Sequence, residues 1–254
     1  MPIKDYLEET AVFRLEDLME KCGDTASNAN LLSRAVRAGK ARRVKAGVYV
    51  SNTGRYKNTR PDKLAVASVL APDACVCHLT ALSLYAGEQN VMFSATLYSN
   101  ILRSPVEFDG ITYRPYRYPS SGVETMTKRL KAGISVRTTT KEQSVLDSLH
   151  RPSRCLGTEG VLRTAGSILR LDGERLAELS MARSASACAK AGWLLEEKSS
   201  EWEIDKKTLA ALHARIGSGP HYFDGKDRPN DSYDPKWKLY FPEPLETIKE
   251  WVRG

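Results

Sequence analysis

Residues 26–50 read ASNANLLSRAVRAGKARRVKAGVYV, and this stretch decides how the first part of the chain is built. At about 100° per residue around a helix axis, Ser27, Asn30, Arg34 and Arg37 fall within one arc of roughly 80°. Ala29, Leu32, Ala35 and Val36 take the opposite half, with Leu31 at the margin. Gly39 stops the helix, since glycine accepts the left-handed conformation that follows a helix C-terminus. Two short strands follow, 41–44 and 48–51, joined by Lys45, Ala46 and Gly47, where Gly47 supplies the positive φ of a three-residue hairpin. A helix with a polar, cationic face running into a hairpin that carries Arg42, Arg43 and Lys45 is the layout of a winged helix-turn-helix. In that fold the second helix of the pair enters the DNA major groove.

Charge is concentrated in the same place. The 254-residue chain carries a net +7, and residues 1–63 account for thirteen positive and eight negative side chains, or +5 of it. Between Arg34 and Lys63 there are ten Lys or Arg, opposed only by Asp62. A cluster of this kind on a small module is the footprint of a phosphate-binding surface. A basic edge hairpin has a plainer use as well, because charge discourages strand-to-strand aggregation.

Upstream, Leu15, Leu18, Met19 and Cys22 recur at helical spacing and define one buried stripe, with Glu16, Asp17 and Glu20 off it. Gly23-Asp24 breaks that helix, and Thr25 or Ser27 caps the next. Residues 3–8 add a first short helix. Downstream, the polar segment 52–61 (NTGRYKNTRP) reads as a linker. Two domains are therefore expected: a winged helix-turn-helix over 1–60 and a larger mixed α+β domain over 61–254, which is expected to fold by itself.

In the second part a helix over 62–71 is apolar on nearly every side, as a buried helix is, and Pro72 stops it. A strand at 74–77 leads into a helix over 78–85 that Gly87 ends. Strands are expected at 95–99, 111–116 and 134–138. Thr140 opens a helix with Gln143 completing a capping box, and Val145, Leu146 and Leu149 form its apolar stripe. The region 157–216 is mostly helical, in four segments. Trp237 to Phe241 forms a late strand, and a last helix starts at Pro244. The whole is α+β.

No run of 18 apolar residues exists, which argues against a membrane span, and the acidic start of the chain is unlike a signal peptide. The five dispersed cysteines fit small buried hydrophobes of a reducing cytoplasm better than disulfides or a zinc site.

The run AVFRLEDL…LLSRAVRAGKARRVKAGVYVS, then HLTALSLYAG and TTTKEQSVLDSLHRP, resembles the AbiEi family of antitoxins over roughly residues 10–165. The resemblance implies an N-terminal winged helix-turn-helix and a C-terminal antitoxin domain in a cytoplasmic protein without cofactor or enzymatic activity. It further implies repression of the protein's own operon through promoter inverted repeats in double-stranded DNA. The other implied role is counteraction of an AbiEii-type nucleotidyltransferase toxin without a stable complex, in a type IV system of phage defence. Residues 157–216 match the family pattern only loosely. Carried over residue by residue, Ser27, Asn30, Arg34 and Arg37 of the helix face DNA, and Lys40, Arg42, Arg43 and Lys45 come from the wing. Asn and Arg reach adenine and guanine edges, whereas wing cations hold phosphates. Tyr49 reads as a hairpin core residue rather than a base-stacking one.

An enzymatic alternative is a nuclease with an N-terminal winged-helix module. Asp172 with Glu196 and Lys198 mimics a D…E-x-K metal site, but Glu196 sits at the end of an Ala-rich helical run rather than at a strand end. Ser144, Asp147 and His150 share helical spacing without a nucleophile elbow, and Asp147 is expected to pair with a basic residue. His78 reads as a helix-start residue.

Overall fold

A computed structural model describes residues 1–86, 93–130, 134–225 and 231–253 of the chain. Among these the fold is mixed α+β, with eleven α-helices and three sheets. Backbone packing divides it into two compact units.

The first unit comprises Met1–Val76, Met92–Tyr118 and Thr127–Thr138. It opens with α1 (Ile3–Glu9), β1 (Val12–Arg14), α2 (Leu15–Cys22), α3 (Ala26–Arg37), β2 (Ala41–Lys45) and β3 (Val48–Ser51). The stripe read in α2 is its inner face: Leu18 is fully buried, and Leu15, Met19 and Cys22 pack around a core of Ile3, Leu7, Phe13 and Leu32. Thr25, not Ser27, caps α3, its hydroxyl accepting from the Asn28 N–H at 3.1 Å. The Asn28 amide donates to the Cys22 and Gly23 carbonyls at 2.9 and 2.7 Å. It thus satisfies acceptors left over at the α2 C-terminus and fixes the turn between the two helices.

The hairpin forms with Gly47 at φ 76°, but Lys45 extends β2 and pairs with Val48, so Ala46 and Gly47 alone make the turn where three residues were expected. β1 joins it as a third, antiparallel strand that places Phe13 opposite Tyr49. The Phe13 ring stacks on Tyr49 at 5.8 Å and meets Tyr6 edge-on at 5.4 Å, so Tyr49 is half-buried and packs against the core.

Segment 52–61 is polar, as expected, and is fastened down. The Arg55 guanidinium and the Tyr56 hydroxyl both donate to the Glu9 carbonyl at 3.0 Å. Asn52 donates to the Gly39 carbonyl at 2.7 Å. Asp62 then caps α4 (Lys63–Val69), whose Leu64, Ala65, Val66 and Ala67 are buried. A six-stranded sheet follows from β4 (Cys75–Val76), β5 (Ser94–Tyr98), β6 (Val106–Phe108), β7 (Ile111–Tyr116), β8 (Thr125–Arg129) and β9 (Ser135–Thr139). Its order is β6-β7-β5-β4-β9-β8, with β5 parallel to β7 and β4 parallel to β9. Asp109 and Gly110, at φ 49° and 74°, make the tight turn between β6 and β7 that an Asp-Gly pair favours. α4 packs on β1 as well as on β4 and β5, and β6 lies against β2. Residues 1–60 therefore share a unit with the sheet that follows them, an arrangement that the polar composition of 52–61 does not disclose.

The second unit comprises Cys77–Val91, Pro119–Met126 and Thr139–Gly254. It holds α5 (His78–Ala86), α6 (Lys141–His150), α7 (Gly157–Gly166), α8 (Gly173–Arg183), α9 (Ala185–Glu197), α10 (Lys206–His213) and α11 (Leu245–Arg253). A small sheet completes it, in the order β10 (His221–Tyr222), β12 (Leu239–Phe241), β11 (Ser232–Asp234). The four helical segments expected over 157–216 are α7 to α10. The expected stop at Gly87 lies outside the described residues.

α6 begins under Thr140, whose hydroxyl accepts from the Gln143 N–H, but the reciprocal half of the expected capping box does not form. The Gln143 side chain instead accepts from the Glu124 N–H at 3.2 Å and donates to Asp147 at 2.9 Å. The Glu124 N–H thus takes the amide oxygen that the box would use, and the Thr140 N–H donates to the Glu124 carbonyl at 3.1 Å. In α9, a Cβ on Gly192 would stand 2.0 Å from the Trp237 ring, so glycine is what lets this indole lie against the helix. No helix among the described residues is long and apolar enough to cross a membrane.

Candidate nucleic-acid interface

The outward face of α3 is the polar arc. Ser27, Asn30, Arg34 and Arg37 are all exposed, while Leu32 is buried and Ala35 and Val36 are half-buried. Ala29, read with the apolar half, is exposed too, because only the second half of α3 meets the core. Lys40 and Arg43 extend the exposed basic surface past the helix.

The remaining two basic residues of the hairpin are committed elsewhere. Arg42 pairs with Asp109 at 2.7 Å and lies over the Phe108 ring at 5.1 Å. Lys45 reaches the Ala46 and Leu70 carbonyls at 3.4 and 3.5 Å. The register of β2 against β3 shifts between Arg43 and Lys45, a bulge that turns Ala41 and Val44 both inward and leaves Arg43 facing out. Arg60 donates to the Asp109 carbonyl at 2.7 Å, and Arg55 stacks on Tyr56 at 4.9 Å. Arg42, Lys45, Arg55 and Arg60 thus hold the module together, Arg43 donates to the Lys45 carbonyl at 3.3 Å while staying exposed, and Arg34, Arg37, Lys40 and Lys57 stand exposed. Asp109, the partner of two of these cations, lies 67 residues from Arg42 and carried no sequence signal beyond its Asp-Gly turn.

The residues weighed for catalysis are engaged in structural bonds. Asp172 caps α8 by accepting from the Arg175 N–H at 2.9 Å. Glu196 accepts from the Trp237 indole at 2.7 Å and pairs with Lys236, while Lys198 pairs with Glu201. Ser144 is bonded to the Thr139 hydroxyl at 2.7 Å and the Thr140 carbonyl at 2.6 Å. Asp147 pairs with Arg183 at 3.1 Å, the basic partner that the sequence left unnamed.

His78 begins α5, as read, and is fully buried. Burial, with the Arg154 and Arg183 guanidinium groups, pushes its pKa down to about 3. Burial and the Lys190 ammonium push His150 down to about 4. Both values lie below the unfolded value of about 6.5, so the unfolded chain binds more protons between the two limits and stability falls as pH falls. With both histidines contributing, unfolding free energy is expected to drop by about 2–3 kcal/mol per pH unit around pH 5. Denaturant titrations between pH 7 and pH 4.5 check this, and a curve flat over that range refutes it.

These features define a protein of mixed α+β class in two units, with an exposed basic helix on the first. No family model matches the sequence, and no curated protein does. The chain is similar in fold to the crystal structure of the Rv2827c protein from Mycobacterium tuberculosis, at a TM-score of 0.63 and 13% identity. The match covers 99% of this chain and 93% of that one, so the likeness extends over both units.

Proposed function

We propose that the N-terminal module is a winged helix-turn-helix that binds promoter inverted repeats in double-stranded DNA, and that the chain is a transcriptional repressor of its own operon. The observation that carries this reading is the joint exposure of Ser27, Asn30, Arg34 and Arg37 on one face of α3, continued by Lys40 and Arg43. Phosphate contacts fix register and base contacts give specificity. The α3 guanidinium groups are the readers, and Lys40 and Arg43 are the anchors. Arg42 and Lys45 serve by bracing the hairpin.

The roles separate by mutation. Arg34→Ala and Arg37→Ala are each expected to weaken operator binding by about 1–3 kcal/mol and to narrow the gap between operator and random DNA. Arg43→Ala is expected to weaken both DNAs alike. Competition titrations against random duplex measure the gap, and loss of discrimination in the Arg43 variant alone would reverse the assignment.

The resemblance to AbiEi antitoxins supports a second role, neutralisation of a co-encoded nucleotidyltransferase-type toxin without a stable complex. The protein is not an enzyme in this reading. Growth assays test it: the toxin is driven from an unrelated promoter while the full chain is co-expressed. Restored growth is expected. If growth recovers only when the toxin gene sits behind the chain's own operator, repression accounts for the protection and the antitoxin role fails.

A further inference from the structure

α1 and α3 enclose between them a groove of about 420 Å³. Its floor is apolar, made by Ile3, Leu7 and Ala35, and one wall is Leu31, which is 43% exposed. Its rim carries three exposed cations, Lys4, Arg34 and Lys40, and no carboxylate lines it. The volume lies within the range of small-ligand sites, about 300–1,000 Å³, and such sites pair an apolar lining with a few placed polar groups.

An apolar floor under three cations and no acid selects for one chemistry. A cationic amphiphile meets only like charge at the rim. A second copy presenting the same face brings three more cations against the first three. A carboxylate on a hydrocarbon body matches both halves, its chain on Leu7, Leu31 and Ala35 and its head among the rim cations.

We propose that this groove binds an amphipathic organic anion of the medium-chain fatty-carboxylate class, and that occupancy withdraws Arg34 from DNA. The second half rests on the DNA-binding reading, because Arg34 belongs at once to the groove rim and to the polar arc of α3. Linkage makes the effect reciprocal: the factor by which the anion weakens DNA binding is the factor by which DNA weakens anion binding.

The test titrates the full chain with dodecanoate, below its micelle threshold and at fixed ionic strength, by calorimetry. Dodecyltrimethylammonium and dodecanol serve as charge controls. Saturable binding of one dodecanoate is expected, with none of the ammonium. Leu31→Ser and Lys4→Gln, both at exposed positions, are each expected to weaken it about tenfold, with circular dichroism confirming the fold. No saturable uptake, equal uptake of the ammonium, or unchanged affinity in both variants overturns the site. In a separate arm, saturating dodecanoate is expected to weaken promoter binding at least about fivefold. Promoter affinity that does not change while dodecanoate is bound overturns the coupling and leaves the site standing. A chain that takes up dodecanoate and binds no DNA refutes the proposed function, not the groove.

Discussion

Raising monovalent salt from 50 to 200 mM is expected to lower the affinity for promoter DNA roughly 10²- to 10³-fold, on the basis of about four to six neutralised phosphates and a slope near −0.9 per contact. The count comes from the structure rather than from composition. Ten cations lie between Arg34 and Lys63, but Arg42, Lys45, Arg55 and Arg60 are engaged within the protein. Lys63 is half-buried at the start of α4, and Arg34, Arg37, Lys40, Arg43 and Lys57 remain exposed. A slope near −9, as all ten would give, would mean that the Arg42–Asp109 pair opens on DNA. A slope near zero would remove the phosphate-binding surface altogether. Substituting Lys40 by Gln should lower the slope by about one contact, and the same substitution at Lys45 should leave it almost unchanged.

Asp147→Ala is expected to be the most damaging single change to stability, at about 3–5 kcal/mol, because it leaves the Arg183 guanidinium in a site built for a pair. The carboxylate is fully buried, accepts from Arg183 at 3.1 Å and from Gln143 at 2.9 Å, and so ties α8 to α6. At about 2–4 °C per kcal/mol for a chain of this size, the melting temperature should fall by roughly 6–20 °C. The double substitution Asp147→Leu with Arg183→Met removes both charges and should recover most of the loss, since apolar replacements of buried pairs are often near neutral. Calorimetric melts of the two variants and the native chain decide the matter. Equal losses in the single and double variants would show that packing, not the uncompensated charge, is what the pair supplies.

Elements whose determinants are local were legible in the sequence. The α2 stripe, the polar arc of α3, the Gly47 hairpin and the Thr140 cap each depend on residues within a turn or two of one another, and each forms. What stayed hidden depends on partners far along the chain. β1 is three residues long and is a strand only because β3 lies beside it. β8, TMTKR, has no buried residue and no apolar alternation to announce it. At the candidate site, exposure of the α3 face followed from its periodicity, whereas the commitment of Arg42 to Asp109 did not, because a side chain in a basic run looks free until its partner is placed. Gln143 carries the same lesson at shorter range: the spacing offered its oxygen the Thr140 N–H, but the Glu124 N–H takes that oxygen and the Thr140 N–H goes to the Glu124 carbonyl.

The contact of Arg42 and Arg60 with Asp109 has a consequence for inheritance. A gene fusion cut after residue 60 would move Arg42 and Arg60 to a new host and leave behind the Phe108–Asp109 tip that receives them. The transferable block is therefore discontinuous in the gene: residues 1–60 travel intact only with a hairpin encoded some fifty codons later. Recombination between such chains is constrained to crossovers that keep both pieces from one parent, or to pairs of parents that carry the same acidic turn.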